Sequence, residues 1–498
     1  MAWSRWIFVF LALFYVLPFW IVDYIPTVDG PCHTYNAWIL RQHGNAEDFP
    51  LFQRYLEINA KPYPNWLGHG VMALLMFAVP PLVAEKILLS GYVLLLLFGL
   101  RYLARSVRPD QGWLSFLAFA FPYNLTSQFG FYNFSLGVAL LPWILGLWWR
   151  RRASPTPGFA VKINLLLWLC WLSHIVPFAL SLLAIGVLWL ATIRRETWRR
   201  HLRHVPILLP QVILPLWYFS AQGAATRASR WPFEMALGYF LNMGVLLSFS
   251  PDHLWFARTM AVLFAVLVLL TLWRGVYRDR RLREEDAFFL LGLLLIVVYF
   301  LSPNAVGGGT MLKMRLSLFP WLLLIPWLSP RLGRRAQAAG LAVLVLLAAL
   351  NLSYQIRWYH RLDGEMARFL AGLESVRPNS RFVPLLFEHN GRSSQFPIYT
   401  HAADYAALEK GLVNWDNYEA AVDFFPTRFR ASTPPPPVQR IGADPETLVA
   451  SWQGRVDYVY TWRMPFGDPL AQSLGRHFAR ISDQDGGVLW EARSPLQP

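Results

Sequence analysis

Long apolar runs constrain this chain more than any other feature of its sequence. Near-uninterrupted apolar stretches of roughly 15 to 20 residues recur from the N-terminus to about residue 351, and each is long enough to enter a bilayer as a helix. The sequence is 55% hydrophobic and only 15% charged, whereas a soluble globular protein carries about a quarter charged residues. The pattern predicts an all-α polytopic membrane bundle of about 11 to 12 transmembrane helices.

Arginine clusters predict the orientation of these helices. Much of the net charge of +15 lies in short connections between apolar runs. These clusters are RYLARSVR (101–108), RRR (150–152), RRETWRRHLRH (194–204), RGVYRDRRLR (274–283) and PRLGRR (330–335). Because positive residues concentrate on the cytoplasmic side of membrane proteins, we expect these connections in the cytoplasm. Arginines confined to such connections do not form a nucleic-acid surface, so no nucleic-acid partner is expected.

Placing every cluster in the cytoplasm predicts the individual spans. They are 6–22, 83–104, 112–127, 134–149, two spans within 160–193, 205–221, 255–273, 287–301, 316–329 and 337–351. A further span over 67–82 would reverse the side of every later cluster, and Pro80-Pro81 interrupts that stretch. We therefore expect a re-entrant or interfacial helix there.

The sequence changes character after residue 351. Residues 352–498 are mixed and polar, with turn signals such as DQDGG, β-rich runs such as RVDYVYTW and GGVLWEA, and the helical stretch DGEMARFLAGLESV. We predict a transmembrane domain over 1–351, whose first external loop is 23–66, and a soluble extracytoplasmic α/β domain over 352–498. In this tail, Glu388, His389, His401 and Asp404 match no metal motif, and solvated surface is the expected location for all four.

Asp29 is the leading candidate for a catalytic residue. It precedes Gly30-Pro31, where a helix is expected to begin, because proline at the first helical position loses no hydrogen bond. An ordinary N-cap is one interpretation of Asp29. The other interpretation is functional, because His33 falls one turn later on the same face, and a carboxylate with an imidazole can act as general base or metal ligand.

Two cations are the candidates for binding a phosphate. Lys313 and Arg315, in GGGTMLKMRLSLFP, come where a late helix re-enters the bilayer. They could snorkel to lipid headgroups. Alternatively they bind a phosphate, since Arg offers a fork of donors and Lys a point charge, and Gly307-Gly308-Gly309 permits close approach of the backbone to an anion.

Uncharged polar residues on the same predicted face are the candidates for an acceptor or sugar pocket. Side chains of this kind suit hydroxyl groups, but they can equally satisfy backbone groups at helix turns. The candidates are Asn36, Asn124, Gln128, Tyr132, Asn133 and His174. Several other chemistries are missing from the sequence, which has two cysteines and neither a Walker A loop, nor a dinucleotide-binding fingerprint, nor an HExxH motif.

The chain resembles the integral-membrane glycosyltransferases of the GT-C fold, which include the protein O-mannosyltransferases and the lipid A aminoarabinose transferase. The resemblance lies in IPTVDGPCHTYNAWIL after the first helix, FPYNLTSQFGFYNF between two early helices, LKMRLSLFPWLLLIP at a late helix and the C-terminal extracytoplasmic-type tail. Many relatives carry a second acid after the one that corresponds to Asp29, whereas this chain has Gly30.

The resemblance implies a function. A sugar would move from a polyprenyl-phosphate donor to an extracytoplasmic glycan, lipid or protein, with inversion at the anomeric carbon. Asp29 would act as base, assisted by His33, or as ligand to a divalent cation (Mg or Mn) if one takes part, and Lys313 and Arg315 would bind the donor phosphate. The expected location is a bacterial inner membrane, with the loops and tail in the periplasm. The alternatives are a transporter or flippase of a lipid-linked or anionic substrate, and a polysaccharide polymerase or ligase.

Overall fold

Helices dominate the chain up to residue 371, as the apolar runs predict. The computed structural model describes residues 3–194, 196, 198–221, 229–277, 283–305, 309–394, 396–438 and 444–493. Within these ranges, five helices are long and apolar enough to cross a bilayer: Pro81–Val107, Tyr132–Arg151, Ile175–Thr192, Pro251–Arg274 and Arg334–Ala371. Shorter apolar helical stretches are Ser4–Trp20 and Pro157–Ser173. The predicted fold class, a helical membrane bundle with a sheet-containing C-terminal part, is confirmed.

Many further helices are short. The α-helices outside the spans above are Gly30–Gln42, Pro50–Tyr55, Leu67–Leu75, Leu125–Gln128, Trp198–His201, His204–Leu208, Pro210–Ala221, Phe233–Leu241, Ala287–Leu301, Leu312–Leu316 and Leu318–Leu324. Segments of 3₁₀ helix are Pro109–Ala120, Gly244–Leu246, Pro251–His253 and Glu284–Asp286, and Leu272–Tyr277 forms a π-helical segment. Leu67–Leu75 has nine residues, about 13 Å of helix, which is too short to cross a bilayer.

Four predicted spans are interrupted. The stretch 6–22 is divided between the helices Trp3–Phe14 and Leu17–Trp20. The stretch 112–127 is divided between the 3₁₀ segment Pro109–Ala120 and the short helix Leu125–Gln128. The stretch 205–221 is divided at Leu209, next to Pro210, and 316–329 is broken at Ser317 and ends as a helix at Leu324. Proline has no N–H to donate and its ring crowds the preceding turn, so the proline-containing stretches are prone to such breaks. Hydropathy alone does not reveal them.

The chain divides into two compact units that do not follow sequence order. The first unit is Met1–Leu17, Ser90–Gln128 and Asn133–Ile356, and the second is Pro18–Leu89, Phe129–Tyr132 and Arg357–Pro498. The second unit thus contains both the predicted first external loop and most of the polar tail. One helix, Arg334–Ala371, runs without a break through position 352. The predicted domain boundaries stay a prediction.

All seven strands found among the described residues lie in the second unit. Strand β1 (Leu56–Ile58) pairs antiparallel with β4 (Thr427–Phe429). The other five form one sheet of order β3-β2-β5-β7-β6, from β2 (Arg381–Leu386), β3 (Val413–Asn414), β5 (Tyr458–Trp462), β6 (Phe478–Gln484) and β7 (Gly487–Ala492). Short helices Ala403–Ala407, Pro445–Ala450 and Pro469–His477 complete this part.

The sheet is mixed, and its parallel part is the more buried. Strand β2 is parallel to β3 and β5, whereas β7 is antiparallel to β5 and β6. All five residues of β5 are buried, as expected for a strand that is covered on both faces. Asp485 and Gly486 have φ of 52° and 93°, which fits the two-residue Asp-Gly turn that the DQDGG sequence predicts between β6 and β7. The α/β character predicted for the tail is therefore confirmed.

Candidate active site

Asp29 stands at the N-cap position of the helix Gly30–Gln42. Its backbone has φ −90° and ψ −14°, its side chain makes no capping hydrogen bond, and a proline lies in the first turn. The main chain provides the helix start, since the N–H of His33 donates to the Asp29 carbonyl at 3.0 Å. An Asp cap would accept from the N–H groups of the first turn. Here the carboxylate is directed to other partners, which favours the functional interpretation over the simple cap.

Two tail residues lie beside the Asp29 carboxylate. The hydroxyl of Tyr418 donates to it, and His401 Nε2 is 3.9 Å from its Oδ1. The rings of His401 and Tyr418 pack with centroids 4.7 Å apart. Burial lowers the pKa of His401 to about 4, so this imidazole is neutral near pH 7.

The predicted solvated location of the tail polar residues is wrong for two of the four. His401 has a side chain only 13% exposed, and Asp404 is fully buried on the helix Ala403–Ala407. Tertiary packing buries that helix against the helix that follows Asp29. Glu388 keeps a side chain 44% exposed and pairs with Arg463, as expected for a residue at the surface.

A tight backbone contact fixes the position of Asp29. Its N–H donates to the carbonyl of Phe129 at 3.0 Å. The next residue, Gly130, has φ +80°, and a Cβ atom there would lie 2.5 Å from the Gly30 nitrogen and 2.8 Å from the Asp29 nitrogen. Only glycine therefore fits at position 130. The FPYNLTSQFGFYNF segment, which sequence analysis associated with a pocket, thus positions the candidate acid through its main chain.

His33 belongs to a buried cluster that the sequence did not reveal. Its Nδ1 contacts Glu419 Oε1 and lies 3.3 Å from Nε2 of His69, which is 2.8 Å from Glu419 Oε2. His33 is 4% exposed, and the other two residues are fully buried. The three residues offer ligand atoms within 4.8 Å of one another.

The pKa values of Glu419 and His33 are shifted in opposite directions, and both shifts favour the charged forms. Burial raises the pKa of Glu419, but the two histidines outweigh burial and bring that pKa down to about 2. Burial lowers the pKa of His33, and the Glu419 carboxylate, with Asp29 and Glu85 farther away, raises it above its usual value. A carboxylate therefore stays ionised in a fully buried position because imidazole nitrogens surround it.

Tyr132 takes part in a second buried network of the same unit. Its hydroxyl donates to Glu85 Oε1 at 2.5 Å and is 2.9 Å from the Thr27 hydroxyl. Tyr405 also donates to Glu85, at 2.8 Å and 2.9 Å from its two oxygens. The Tyr132 ring packs 5.4 Å from the His33 ring. Tyr132 is thus held next to the helix start, and its hydroxyl is already bonded.

Asn36 is committed to a reciprocal amide pair with Asn417. Asn36 Nδ2 donates to Asn417 Oδ1 at 3.1 Å, and Asn417 Nδ2 donates back to Asn36 Oδ1 at 3.0 Å. Asn36 Nδ2 also donates to the Cys32 carbonyl at 2.9 Å, and Thr427 donates to Asn36 Oδ1. Every polar atom of the Asn36 side chain is bonded, so the geometry gives it a structural role, and its assignment to a pocket stays a prediction.

The first unit brings His174 and Arg315 together. His174 caps the helix Ile175–Thr192 by accepting from the Val176 N–H through Nδ1 at 3.1 Å. Its other nitrogen, Nε2, is 2.8 Å from Arg315 Nη1. Burial, together with the Arg315 guanidinium, holds the pKa of His174 well below its usual range. The Phe134 ring packs against both, 5.3 Å from the imidazole ring and 5.5 Å from the guanidinium carbon.

Both ring nitrogens of His174 lie within hydrogen-bonding distance of a donor group. A neutral imidazole has one N–H donor and one acceptor nitrogen. Both nitrogens of His174 face donors, the Val176 N–H and the Arg315 guanidinium. If Nδ1 accepts from Val176, then Nε2–H points towards another donor.

Lys313 has local partners. It is 3% exposed, and its Nζ donates to the carbonyls of Tyr299 at 2.7 Å and Phe300 at 3.0 Å. These carbonyls end the helix Ala287–Leu301, where a cation stabilises the helix dipole. Lys313 therefore has a structural role here, and a phosphate-binding role stays a prediction. Gly307 and Gly308 lie outside the described residues, and Gly309 lies just within them.

The remaining pocket candidates are buried polar residues of the first unit. Asn124 donates to the Phe121 carbonyl at 2.8 Å, and its Oδ1 accepts from the Thr126 N–H at 2.9 Å, which organises the turn before Leu125–Gln128. Gln128 donates to Ser248 Oγ at 3.0 Å and to Gln355 Oε1 at 3.1 Å. Asn133 is 3% exposed. The partners of Asn124 are those expected of a residue that satisfies a helix turn.

The structure thus sorts the predicted residues into two groups. The second unit contains Asp29, His33, Asn36 and Tyr132. The first unit contains Asn124, Gln128, Asn133, His174, Lys313 and Arg315. None of the residues His69, His401, Tyr418 and Glu419 was assigned to the site from the sequence, and His401 was expected at the solvated surface. The only signal for His69 was a lone histidine in an apolar stretch, and Glu419 and Tyr418, in NWDNYEAA, had no motif to mark them.

Comparison with known proteins gives one informative result for the fold. No protein-family model matches this sequence, and no curated protein matches it either. Among solved structures, the chain is similar to the crystal structure of ArnT from Cupriavidus metallidurans in the apo state. The two share 12% sequence identity with a TM-score of 0.56, and the match covers 98% of each chain. Over the 98% of the chain that the match covers, the fold is therefore ArnT-like, which agrees with the GT-C fold that the resemblance implied.

Proposed function

We propose that this chain is an integral-membrane glycosyltransferase that moves a sugar from a polyprenyl-phosphate donor to an extracytoplasmic acceptor. The observation that carries the proposal is the fold likeness to ArnT over 98% of both chains. The GT-C glycosyltransferases, which the sequence resembles, include the lipid A aminoarabinose transferase. Because a fold can host several functions, the residues must support the chemistry independently. The acceptor in this proposal is a glycan, a lipid or a protein.

In the proposed reaction, Asp29 is the general base. Its carboxylate takes the proton from an acceptor hydroxyl or amine as that group attacks the anomeric carbon of the sugar. The bond between that carbon and the donor phosphate oxygen breaks, and the lipid phosphate leaves with the electron pair. One displacement inverts the anomeric configuration. Support comes from the carboxylate's lack of a capping bond and from its neighbours, Tyr418 and neutral His401, which can orient it.

Arg315 and His174 are the proposed ligands of the donor phosphate. The leaving phosphate gains negative charge as the glycosidic bond breaks, and fixed donors lower the energy of that state. Arg315 offers a planar fork of N–H groups, and the His174 Nε2 beside it suits the same oxygen acceptor. Lys313, two residues before Arg315, contributes mainly by holding the local helix ends together through its two carbonyl contacts.

The proposed location follows from the apolar helices and the arginine clusters. The five long apolar helices support an integral membrane protein. The positive-inside pattern of the connections favours an extracytoplasmic location for the first loop and the tail. In a bacterial inner membrane this side is the periplasm, where polyprenyl-phosphate sugars serve as donors in the class that the chain resembles.

The first test of this function is the conservative substitution Asp29→Asn. Because it keeps the side-chain shape and removes the basic oxygen, we expect at least a 100-fold loss of transfer with unchanged expression and thermal stability. The assay is transfer of radiolabelled sugar from polyprenyl-phosphate donors in membranes that contain the protein. Asp23→Asn is the matched control, since Asp23 is an exposed aspartate on the same loop. Full activity in Asp29→Asn would remove Asp29 from the mechanism.

Arg315→Lys tests the phosphate assignment separately. It keeps one positive charge but loses the fork, so we expect a roughly tenfold or larger rise in KM for the donor with little change in KM for the acceptor. The control is Arg258→Lys, an arginine of the same unit whose Nε donates to Asn242 at an exposed position. An unchanged KM for the donor in Arg315→Lys would argue against Arg315 as a phosphate ligand.

A further inference from the structure

We propose that His33, His69 and Glu419 form a binding site for one divalent transition-metal ion, with Zn²⁺ as the best-fitting ion. The proposal concerns metal binding and stands independently of the glycosyltransferase assignment. The three ligands come from three places in the sequence, namely the helix Gly30–Gln42, the helix Leu67–Leu75 and the segment between β3 and β4. All three belong to the second unit.

The spacing of the ligand atoms fits a tetrahedral metal site. His33 Nδ1 and His69 Nε2 are 3.3 Å apart. In a tetrahedral zinc site with Zn–N bonds of about 2.0–2.1 Å, two nitrogen ligands are separated by about 3.3–3.4 Å. Glu419 directs one carboxylate oxygen at each imidazole. The two rings stand nearly perpendicular, at 83° with centroids 5.0 Å apart, so both nitrogens can be directed at one ion without ring overlap.

The hydrogen bonds of His69 define its tautomer. Its Nδ1 lies 2.9 Å from the backbone carbonyl of Asn65, which can only accept, so Nδ1 carries the hydrogen. In the neutral ring, Nε2 then has a lone pair, and that lone pair faces Glu419 Oε2, another acceptor, at 2.8 Å. A proton or a metal ion must lie in this region to make the contact favourable. A backbone carbonyl that fixes the free nitrogen of a histidine is a common feature around metal ligands.

The three ligand residues are buried. Glu419 and His69 are fully buried and His33 nearly so, and the Phe425 ring packs 6.2 Å from the His33 ring and 5.9 Å from the His69 ring. A buried carboxylate with two imidazoles is costly to maintain for stability alone, since apolar replacements often stabilise as well or better. Coordination of a cation gives this arrangement a function that a simple ion pair lacks.

The ligand set selects the class of metal. Two imidazoles and one carboxylate suit Zn²⁺, Co²⁺, Fe²⁺ and Mn²⁺, whereas Mg²⁺ and Ca²⁺ prefer oxygen ligands throughout. Three protein ligands leave at least one coordination position for water or another group, as in catalytic zinc sites. The bound ion would also fix His33 one helical turn from Asp29. This assignment makes His33 a ligand and differs from a magnesium ion at Asp29.

The test measures metal content and does not depend on activity. We would purify the detergent-solubilised, tag-cleaved protein without chelators, determine metals by inductively coupled plasma mass spectrometry, and then strip and back-titrate the protein with Zn²⁺, Co²⁺ or Mg²⁺. We expect about one equivalent of transition metal per chain, an increase in Tm with Zn²⁺ but not with Mg²⁺, and visible d–d absorption of the Co²⁺ form. Wild-type protein that binds none of these ions at micromolar concentration would overturn the proposal and leave a buried ion-pair cluster.

Variants locate the site. Glu419→Gln keeps size and hydrogen-bonding capacity, and His69→Gln keeps a polar side chain. Each is expected to weaken Zn²⁺ binding more than 100-fold and to abolish the Tm increase. His477→Gln is the matched control, because His477 also contacts a glutamate, Glu446, at 3.2 Å but lies outside the three-ligand cluster found among the described residues. If both cluster variants retained wild-type stoichiometry and affinity, the ion would lie elsewhere and the assignment would be wrong.

Discussion

Asp404→Asn is expected to make the protein less sensitive to pH. Asp404 is fully buried, and its Oδ1 accepts from Asn414 Nδ2 at 2.7 Å. Burial, with smaller contributions from Asp416 and Glu419, raises the pKa of Asp404 from 3.8 to about 7. The folded protein therefore keeps a proton on this carboxyl group that the unfolded chain releases near pH 4. An asparagine mimics the protonated acid, because it offers one acceptor and one donor in the same places.

The sign and size of the effect follow from this pKa. Between about pH 4 and pH 7 the folded state binds more protons than the unfolded state, so the free energy of unfolding falls as pH rises through this window. A shift of three pKa units corresponds to about 4 kcal/mol of folding free energy. Because relaxation around the ionised carboxylate reduces this value, we expect the free energy of unfolding to fall by about 2 to 4 kcal/mol across the window. Above pH 7 the Asp404 carboxylate is ionised in both states, so its destabilising effect no longer changes with pH. Below pH 4 we expect the smallest difference in free energy of unfolding between the wild-type and Asp404→Asn proteins.

The measurement is denaturant-induced unfolding followed by tryptophan fluorescence, which the 24 tryptophans make sensitive. Wild type and Asp404→Asn would be compared at several pH values from 4 to 8 in the same detergent. Asp423→Asn, at a side chain 86% exposed, controls for the loss of an aspartate as such. The expected effect of Asp404 is refuted if the difference in free energy of unfolding between wild type and Asp404→Asn does not change with pH. It is also refuted if wild type becomes more stable relative to Asp404→Asn as pH rises.

Two further substitutions test how the second unit is built. In Gly130→Ala, the new Cβ would meet the Gly30 nitrogen at 2.5 Å with φ at +80°, so we expect a loss of at least about 2 kcal/mol in the unfolding assay. Gly91→Ala, with open space around its Cβ, should be neutral or slightly stabilising. Glu365 accepts from the Arg392 N–H at 2.6 Å and from neighbouring groups of the same loop. Glu365→Gln removes one acceptor, so it should cost about 1–3 kcal/mol, and an unchanged unfolding midpoint would contradict that role.

Features that depend on local sequence could be predicted. Apolar runs indicated most spans, because a bilayer requires about 20 apolar residues whatever the rest of the chain does. Alternating β-rich runs located β5 and β7, and the Asp485-Gly486 turn between β6 and β7 followed from backbone preferences of those two residues. The helix start after Asp29 was predictable for the same reason, since proline early in a helix and its preceding residue form a local pattern.

Features that depend on distant residues could not be predicted. His69 and Glu419 are 350 positions apart in sequence and 2.8 Å apart in space. A single sequence provides no signal for such a pair, since each residue type is common and neither belongs to a spaced motif. The solvated location predicted for His401 and Asp404 is wrong for the same reason. The polarity of these residues suggested water, but the tertiary packing of the helix Ala403–Ala407 buries them.

The composition of the second unit changes how the polar tail is understood. The tail supplies an amide partner for Asn36, a strand partner for Leu56–Ile58, and the side chains of Tyr418 and Glu419 beside Asp29 and His33. Such contacts are not those of a module that merely follows a membrane bundle. Residues 18–89 and 357–498 share one folded unit, so the geometry of the candidate acid depends on residues nearly 400 positions later. The tail is therefore part of the candidate site itself, and substitutions in it should affect the chemistry at Asp29 even where they leave the membrane helices unchanged.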